Sequence, residues 1–595
     1  MSNFQLKQSP FFLPDSFRFY WDLLAHYLAP LTRRVLWMGL LLLASISLAL
    51  INPQVIRYFL DTAQAGGLPQ KLLLAAGLYI LFAVLQQVTN LAADYTSKNV
   101  GWSATNRLRA DLALHCLHLD MPFHKQHLPG ELIERIDGDV TELANFFSQF
   151  TLRVLGNGLL VIGILALLFR ENAWLGLGML AYTALTLAVL GQVRKLAVPR
   201  WAAVRQASAE QYGFLEERIS GAEELRALGA EHFVLRKLYE LMRIFLQKRR
   251  AAKVVSSLAA NLTNLIYVIG YAAGLALAVM LYSQGQASLG TAYLITYYVG
   301  MLGDPLQNIR TQLQDFQQAT ASLERVRNLF DIQPIAGNRT DCEKELPAAA
   351  LQVCFENVSF HYEDNEAVLH ELSFTLQPGR VLGILGRTGS GKSTLSRLLV
   401  RLYDPNQGTV RLNGLDLRTL SHDQLRLQVG LVTQEVQLFQ ATLRQNLTFF
   451  DPDISDSSLQ AALASLHLGD WVASLPNGLD TVLAAGGAGL SAGEAQLLAF
   501  ARVLLRDPGV VILDEASSRL DPATENLLEQ AIGRLFHHRT GLVIAHRLKT
   551  VARADDILIL EGGRLVEYGP RAELAADRGS RFFHLLQTGL EEALA

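Results

Sequence analysis

The sequence predicts a multi-domain chain in which an all-α, six-helix transmembrane domain precedes an α/β P-loop nucleotide-binding domain. Three observations carry that prediction. Apolar residues crowd into six segments before about residue 305. Beyond residue 348, short β-branched runs alternate with helical patterns, as in α/β domains. Among those runs lies "LGRTGSGKST", which matches the phosphate-binding pattern G-x-x-x-x-G-K-[ST].

The 595 residues exceed the usual size of one domain. Half are hydrophobic and mean hydropathy is +0.21, high for a soluble chain of this length. The apolar segments are 35–60, 71–93, 146–169, 173–193, 258–282 and 289–301. Most reach the ~20 residues that a helix rising ~1.5 Å per residue needs to cross a hydrocarbon core of ~30 Å. The sixth is the shortest, because Asp304 and Pro305 follow it closely.

The connections set the orientation. "DTAQAGGLPQ" and "SQGQAS" contain no Lys or Arg, whereas 94–145 and 194–257 are long, helical in pattern and basic, with Arg194, Lys195, Arg200, Arg205, Arg236, Lys237 and "QKRRAAK". The positive-inside rule places both stretches, both termini and the second domain in the cytoplasm of a cell whose plasma or inner membrane holds the chain. Such stretches are too long for loops and too polar for lipid, so the spanning helices are expected to run on as rods.

The expected boundaries are a cytoplasmic and interfacial segment over 1–34, a transmembrane domain over 35–330, a Pro-containing polar linker over 331–348 and a nucleotide-binding domain over 349–595. A net charge of −3 and a pI near 6.5 exclude a global basic field for nucleic acid. Cys116, Cys342 and Cys354 lie far apart without metal-ligand spacing, as expected of thiols in a reducing cytosol. The N-terminus lacks the basic and apolar regions of a cleavable signal peptide.

In "VLGILGRTGSGKSTLSRLL" a strand runs through a glycine turn into a helix. Gly386, Arg387, Thr388, Gly389, Ser390 and Gly391 let backbone N–H groups wrap phosphates, with Thr394 in the helix behind them. Lys392 neutralises the terminal phosphates and Ser393 can ligate Mg²⁺. In "PGVVILDEASS", Asp514 ends a buried strand where it can hold the metal, and Glu515 follows as base or orienting group for the attacking water.

With these motifs the chain resembles an ATP-binding cassette half-transporter of the exporter type over nearly its whole length. The resemblance implies an adenine-stacking aromatic at Tyr362 in "VSFHY", an Mg²⁺-contacting glutamine at Gln434 in "GLVTQEVQLF", and a γ-phosphate-contacting histidine at His546 in "VIAHRL". It implies a D-loop at "SRLD", residues 518–521, and two coupling helices within 119–140 and 216–231. ATP and Mg²⁺ are the implied cofactors, and a second half-transporter the implied partner. Thr433 departs from the family's proline and Arg519 from its alanine.

The family's L-S-G-G-Q signature contacts the nucleotide held by the opposite subunit. Here it reads Leu490, Ser491, Ala492, Gly493, Glu494. A carboxylate ~8 Å from a phosphate charge at an effective dielectric near 20 costs about 2 kcal/mol per charge pair. Just upstream, the usual x-V-G-E-R-G has become "VLAAGG", residues 482–487. Two eroded motifs beside an intact Lys392, Asp514, Glu515 and His546 lead to the expectation of a heterodimer, whose partner supplies a sound signature and a weakened catalytic site. The expected activity is ATP-driven export by alternating access. A homodimer, an importer and an ATP-switched regulator of the same architecture are the alternatives, and the substrate is open.

Overall fold

The computed structural model describes residues 23, 25–149, 154–333, 346–347, 349–362, 367–514, 522–544 and 551–588. It divides into two compact units, Met1–Leu117 with Pro129–Ile332, and His118–Leu128 with Gln333–Ala595.

The N-terminal unit is helical. Its main elements are α1 (Thr32–Gln64), α2 (Pro69–His118), α4 (Val140–Gln149), α5 (Gly156–Glu171), α6 (Ala173–Ser220), α7 (Ala222–Ala227), α8 (Glu231–Ser283), α9 (Leu289–Met301) and α10 (Gly303–Asp331), while α3 (Met121–Gln126) falls in the second unit. All six apolar segments are helical where described. By length and composition Ala25–Gln64, Pro69–His118 and Glu231–Ser283 can cross a membrane, and Ala173–Val189 is a shorter apolar stretch. The third and sixth segments are shorter still, with 16 residues in α5 and 13 in α9. The chain breaks at Leu302 and resumes as the polar α10.

The expected rods are present. α2, α6 and α8 contain 50, 48 and 53 residues. Fifty residues rise about 75 Å, more than twice the hydrocarbon thickness. The two turns matched to coupling helices hold the six-residue helices α3 and α7.

Asn172 starts α6, its Oδ1 accepting from the N–H groups of Trp174 at 2.9 Å and Leu175 at 3.2 Å. Ile164, Leu168, Leu175, Leu294, Ile295 and Tyr298 form the buried seam between α5, α6 and α9. Polar groups tie α1 into this bundle. Arg57 bonds Glu171 at 2.7 Å, Asp61 Oδ1 accepts from the Gly290 N–H at 2.8 Å, and the Tyr298 hydroxyl donates to the Leu50 carbonyl at 2.7 Å. Outward-facing Leu73, Ile80 and Leu91 on α2 are more than 60% exposed, a surface that lipid would solvate at no cost.

The C-terminal unit is α/β. An antiparallel sheet has the order β2-β1-β4-β5, with β1 (Val353–His361), β2 (Ala367–Leu376), β4 (Gln407–Leu412) and β5 (Leu415–Asp416). A six-stranded sheet has the order β10-β9-β3-β8-β7-β6, from β3 (Val381–Leu385), β6 (Val429–Val432), β7 (Val510–Asp514), β8 (Thr540–Ile544), β9 (Asp556–Glu561) and β10 (Arg564–Pro570). Its strands are parallel apart from β10. Alternate residues enter two cores: Val511 and Leu513 of β7 pack on one side, Val510 and Ile512 on the other. Burial on both faces explains why these strands read as unbroken apolar runs.

Candidate nucleotide-binding site

β3 leads into the glycine turn, and sterics require glycine there. A Cβ on Gly386 would lie 2.3 Å from the Leu560 carbonyl oxygen and 2.5 Å from Ser390 Oγ. Gly389 and Gly391 take φ of +83° and +100°, a region that side chains disfavour. Gly391 opens helix α11 (Lys392–Leu399), so the turn ends on N–H groups aimed along the helix axis.

Lys392 is buried at the head of α11, its Nζ donating to the carbonyl oxygens of Gly386 at 2.5 Å and Arg387 at 3.0 Å. Its charge is thereby held inside the loop. Ser390, 4% exposed, has a buried hydroxyl oxygen without a partner among the described residues. Such an atom is costly unless a ligand completes it. The orphan hydroxyl, the buried cation and the glycine-rich turn fit a polyphosphate.

Strand register brings the metal-ligand candidates to the same edge. Ile384 pairs with Ile544, and Ile544 with Asp514, so Asp514 stands level with Ile384, two residues before the glycine turn. Val432 pairs with Leu513, and the exposed Gln434 follows two residues later. Ser393, Asp514 and Gln434 therefore belong to elements meeting at the carboxyl edge of the sheet, where open α/β sheets bind ligands. Oxygen donors suit Mg²⁺. Glu515, His546 and the D-loop 518–521 lie outside the described residues.

Tyr362 stands just past β1. Its hydroxyl is bonded to Thr394 Oγ1 at 3.0 Å and accepts from Arg397 at 3.1 Å, which fixes the ring beside α11. Phe360 and Tyr403 meet it edge-on, and Lys125, of the same compact unit, lies 4.1 Å over its face. A cavity of about 680 Å³ opens beside these rings, enough room for a purine.

The signature opens helix α12 (Ala492–Arg506). Ser491 is its N-cap and Glu494 completes a reciprocal capping box, the carboxylate accepting from the Ser491 N–H at 2.7 Å and from its hydroxyl at 2.8 Å. Sequence reasoning weighed Glu494 only as a repulsive charge. The S-x-x-E spacing that signals the box was already visible. Gly493 is buried and Ala492 exposed.

The eroded stretch before the signature packs on the segment after Gln434. Gly486 N–H donates to the Leu438 carbonyl and Leu483 N–H to that of Ala441, both at 2.9 Å. Arg502 is a residue that sequence reasoning missed. It reaches from α12 to the carbonyls of Asn446 at 2.8 Å and Gln437 at 2.9 Å, and burial pushes its pKa down to about 10. Only its isolation within an apolar helix run could have drawn notice.

Two family descriptions match the chain. The ABC transporter transmembrane region covers residues 35–306, and the description ABC transporter covers residues 369–518. The chain belongs to the ABC transporters. It is 30% identical to an ATP-dependent lipid A-core flippase of Idiomarina loihiensis over 87% of this chain and 89% of the other. It is 31% identical to a fatty acid ABC transporter ATP-binding/permease protein of Mycobacterium bovis over 80% and 74%. Among solved structures, a bacterial Atm1-family ABC exporter with ATP bound superposes with a TM-score of 0.79 at 25% identity, over 94% of this chain and 98% of that one. The transporter thus couples ATP hydrolysis to transport, with membrane and ATPase domains fused as in exporters.

Proposed function

We propose that this ABC transporter chain is one half of a heterodimeric exporter, contributing a sound catalytic site and a weak signature. One observation carries this reading. The Ser491 hydroxyl, whose single proton would have to reach the partner-held nucleotide, already donates to Glu494. Beside it stands a carboxylate, while Lys392 and the glycine turn are intact.

In this reading Tyr362 stacks on adenine, residues 386–394 bind the phosphates, Glu515 orients the attacking water and His546 contacts the γ-phosphate. Ser393, Gln434 and Asp514 would hold Mg²⁺, which supplies charge neutralisation at the phosphates when bound. Closure and reopening of paired nucleotide-binding domains would then drive alternating access in a cell membrane, with both termini cytoplasmic. The names of the two curated relatives, referring to a lipid A core and to fatty acids, support an amphiphilic cargo.

The test is Glu515→Gln in the co-expressed pair, with ATP turnover and uptake into inverted vesicles as readouts. Both should collapse. Near-normal turnover, or full activity from this chain expressed alone, would refute the heterodimer. One observation favours a second reading, a tolerant homodimer: the box keeps the signature helix capped and turns the Glu494 carboxylate back onto Ser491. Full activity from the single chain would establish it.

A further inference from the structure

Lys125 belongs to α3, the six-residue helix in the first of the two turns matched to coupling helices. α3 packs within the C-terminal compact unit, although the chain enters it from α2 and leaves it for the helices of the N-terminal unit. Phe123 anchors it. That side chain is buried, and the His124 and His127 rings lie against it at centroid distances of 5.5 and 4.5 Å.

Lys125 is exposed, and its Nζ stands 4.1 Å from the Tyr362 ring centroid and 5.6 Å from that of Tyr403. The two tyrosine rings meet at 87° with centroids 5.2 Å apart, so the ammonium sits in the corner between them. The negative faces of aromatic rings attract such a cation.

A stacked base needs the same face. On Tyr362 it would place its atoms about 3.5–4 Å above the ring, close to the height at which Nζ stands. The cavity of about 680 Å³ is lined by Asp120, Pro122, Lys125 and Gln126 as well as by Tyr362 and Tyr403, so it opens on the side of the ring that faces α3. The Tyr362 hydroxyl is tied to Thr394 and Arg397 of α11, which keeps that side of the ring toward Lys125. Base and ammonium therefore exclude each other.

Strength and mobility decide which yields. A base stacks over a whole ring face, whereas a cation–π contact at an exposed side chain is the weaker of the two. The flexible stem of Lys125 lets the ammonium swing out and rehydrate. Phe123 does not line the cavity, so this exchange leaves the anchor of α3 in place.

We propose that Lys125 is a latch on the stacking face of Tyr362 that the base of a bound nucleotide displaces, so that α3 responds to the base separately from the phosphates. This rests on the reading of Tyr362 as the adenine-stacking residue. The linkage runs both ways. The base frees α3 from the ring, and the latch lowers the affinity for any ligand that brings a base, by the reciprocal of the fraction of time it stands open. A polyphosphate without a base does not meet it.

The test photolabels the full transporter in lipid nanodiscs with a trace of 2-azido-ATP and reads the label on this chain after electrophoresis. The competitors are AMP-PNP, which carries the base, and inorganic tripolyphosphate, which does not. Lys125→Met keeps the apolar stem and removes the charge. It should tighten AMP-PNP about threefold, the factor that an exposed cation–π contact is worth, and leave tripolyphosphate unchanged, which also reports an intact phosphate site. Lys125→Arg, whose guanidinium stacks on rings too, should keep the native affinities. Tyr362→Ala should weaken AMP-PNP about fivefold or more, spare tripolyphosphate and abolish the effect of Lys125→Met in the double variant. Unchanged or weaker AMP-PNP binding by Lys125→Met, or an equal gain for tripolyphosphate, overturns the latch and leaves adenine stacking on Tyr362 standing. AMP-PNP binding indifferent to Tyr362→Ala overturns both.

Discussion

The Ser491 hydroxyl donates to the Glu494 carboxylate at 2.8 Å, and the Ser491 oxygen accepts from the Glu494 N–H at 3.2 Å. A helix N-terminus is a natural seat for an anion. In α12 the chain's own carboxylate occupies that environment, so on the proposed reading a phosphate brought to this helix end would meet both a spent hydroxyl and a like charge.

Glu494→Ala removes the two bonds that its carboxylate accepts from Ser491, leaves the backbone N–H bond to Ser491 Oγ, and should cost about 0.5–1.5 kcal/mol of stability, read from thermal unfolding. Glu494→Gln keeps the box, since glutamine serves at this position, and removes the charge. It should prolong ATP-driven closure of the assembled dimer by tenfold or more, if the ~2 kcal/mol repulsion operates. A closed-state lifetime unchanged in cross-linking or spin-label experiments would show that the charge does not matter.

Asp514→Asn, or chelation with EDTA, should abolish phosphate release by at least 100-fold while binding of a fluorescent ATP analogue falls far less. Lys392→Ala should instead eliminate binding itself. If chelated transporter hydrolyses ATP at the native rate, the carboxyl-edge metal assignment fails.

Arg502→Lys keeps a cation but loses the planar fork that reaches Asn446 and Gln437. A loss of about 1–3 kcal/mol in stability is expected, together with weakened coupling between ATP and transport. The pH dependence has a definite sign. Native and unfolded chains both keep this side chain protonated below pH about 10, so the loss should be flat from pH 6 to 9. Above about 10, where the buried native group gives up its proton before the exposed one does, the unfolded chain binds the extra proton, and the native protein's stability gains with rising pH. A variant whose deficit grows steeply between pH 6 and 9 would contradict this.

Arg57→Ala leaves Glu171, 15% exposed, without its cation. Each single substitution, Arg57→Ala or Glu171→Ala, should lower stability by about 1–2 kcal/mol, less than a fully buried pair because Arg57 is one-third exposed. The double variant should cost markedly less than the sum of the singles in detergent melts. Simple additivity would mean that the two side chains do not interact energetically.

Much of the fold was legible because its signals are periodic or steric. Six apolar stretches require helices, and buried parallel strands on both sides of Lys392 require unbroken β-branched runs. The glycine turn was legible for the same kind of reason, since Gly386 and Gly391 leave no room for a Cβ. What escaped depends on partners distant in sequence. Arg502 has meaning only once the fold brings Asn446 and Gln437 to it. Glu494 escaped for a different reason: family comparison framed it as a loss, although local capping chemistry gives it a use.

The length of α2, α6 and α8 has a mechanical consequence. A continuous helix of about 75 Å that pivots near the bilayer midplane carries its far tip on an arm of about 60 Å, given ~30 Å of hydrocarbon. Each degree of tilt then sweeps that tip through about 1 Å, so a rotation too small to disturb packing inside the membrane becomes a displacement of several ångströms at α3 and α7. These helices act as levers. Pro199 interrupts the hydrogen-bond ladder of α6 near its middle, so α6 should pass on a smaller share of such a stroke than α2 and α8, which hold no interior proline.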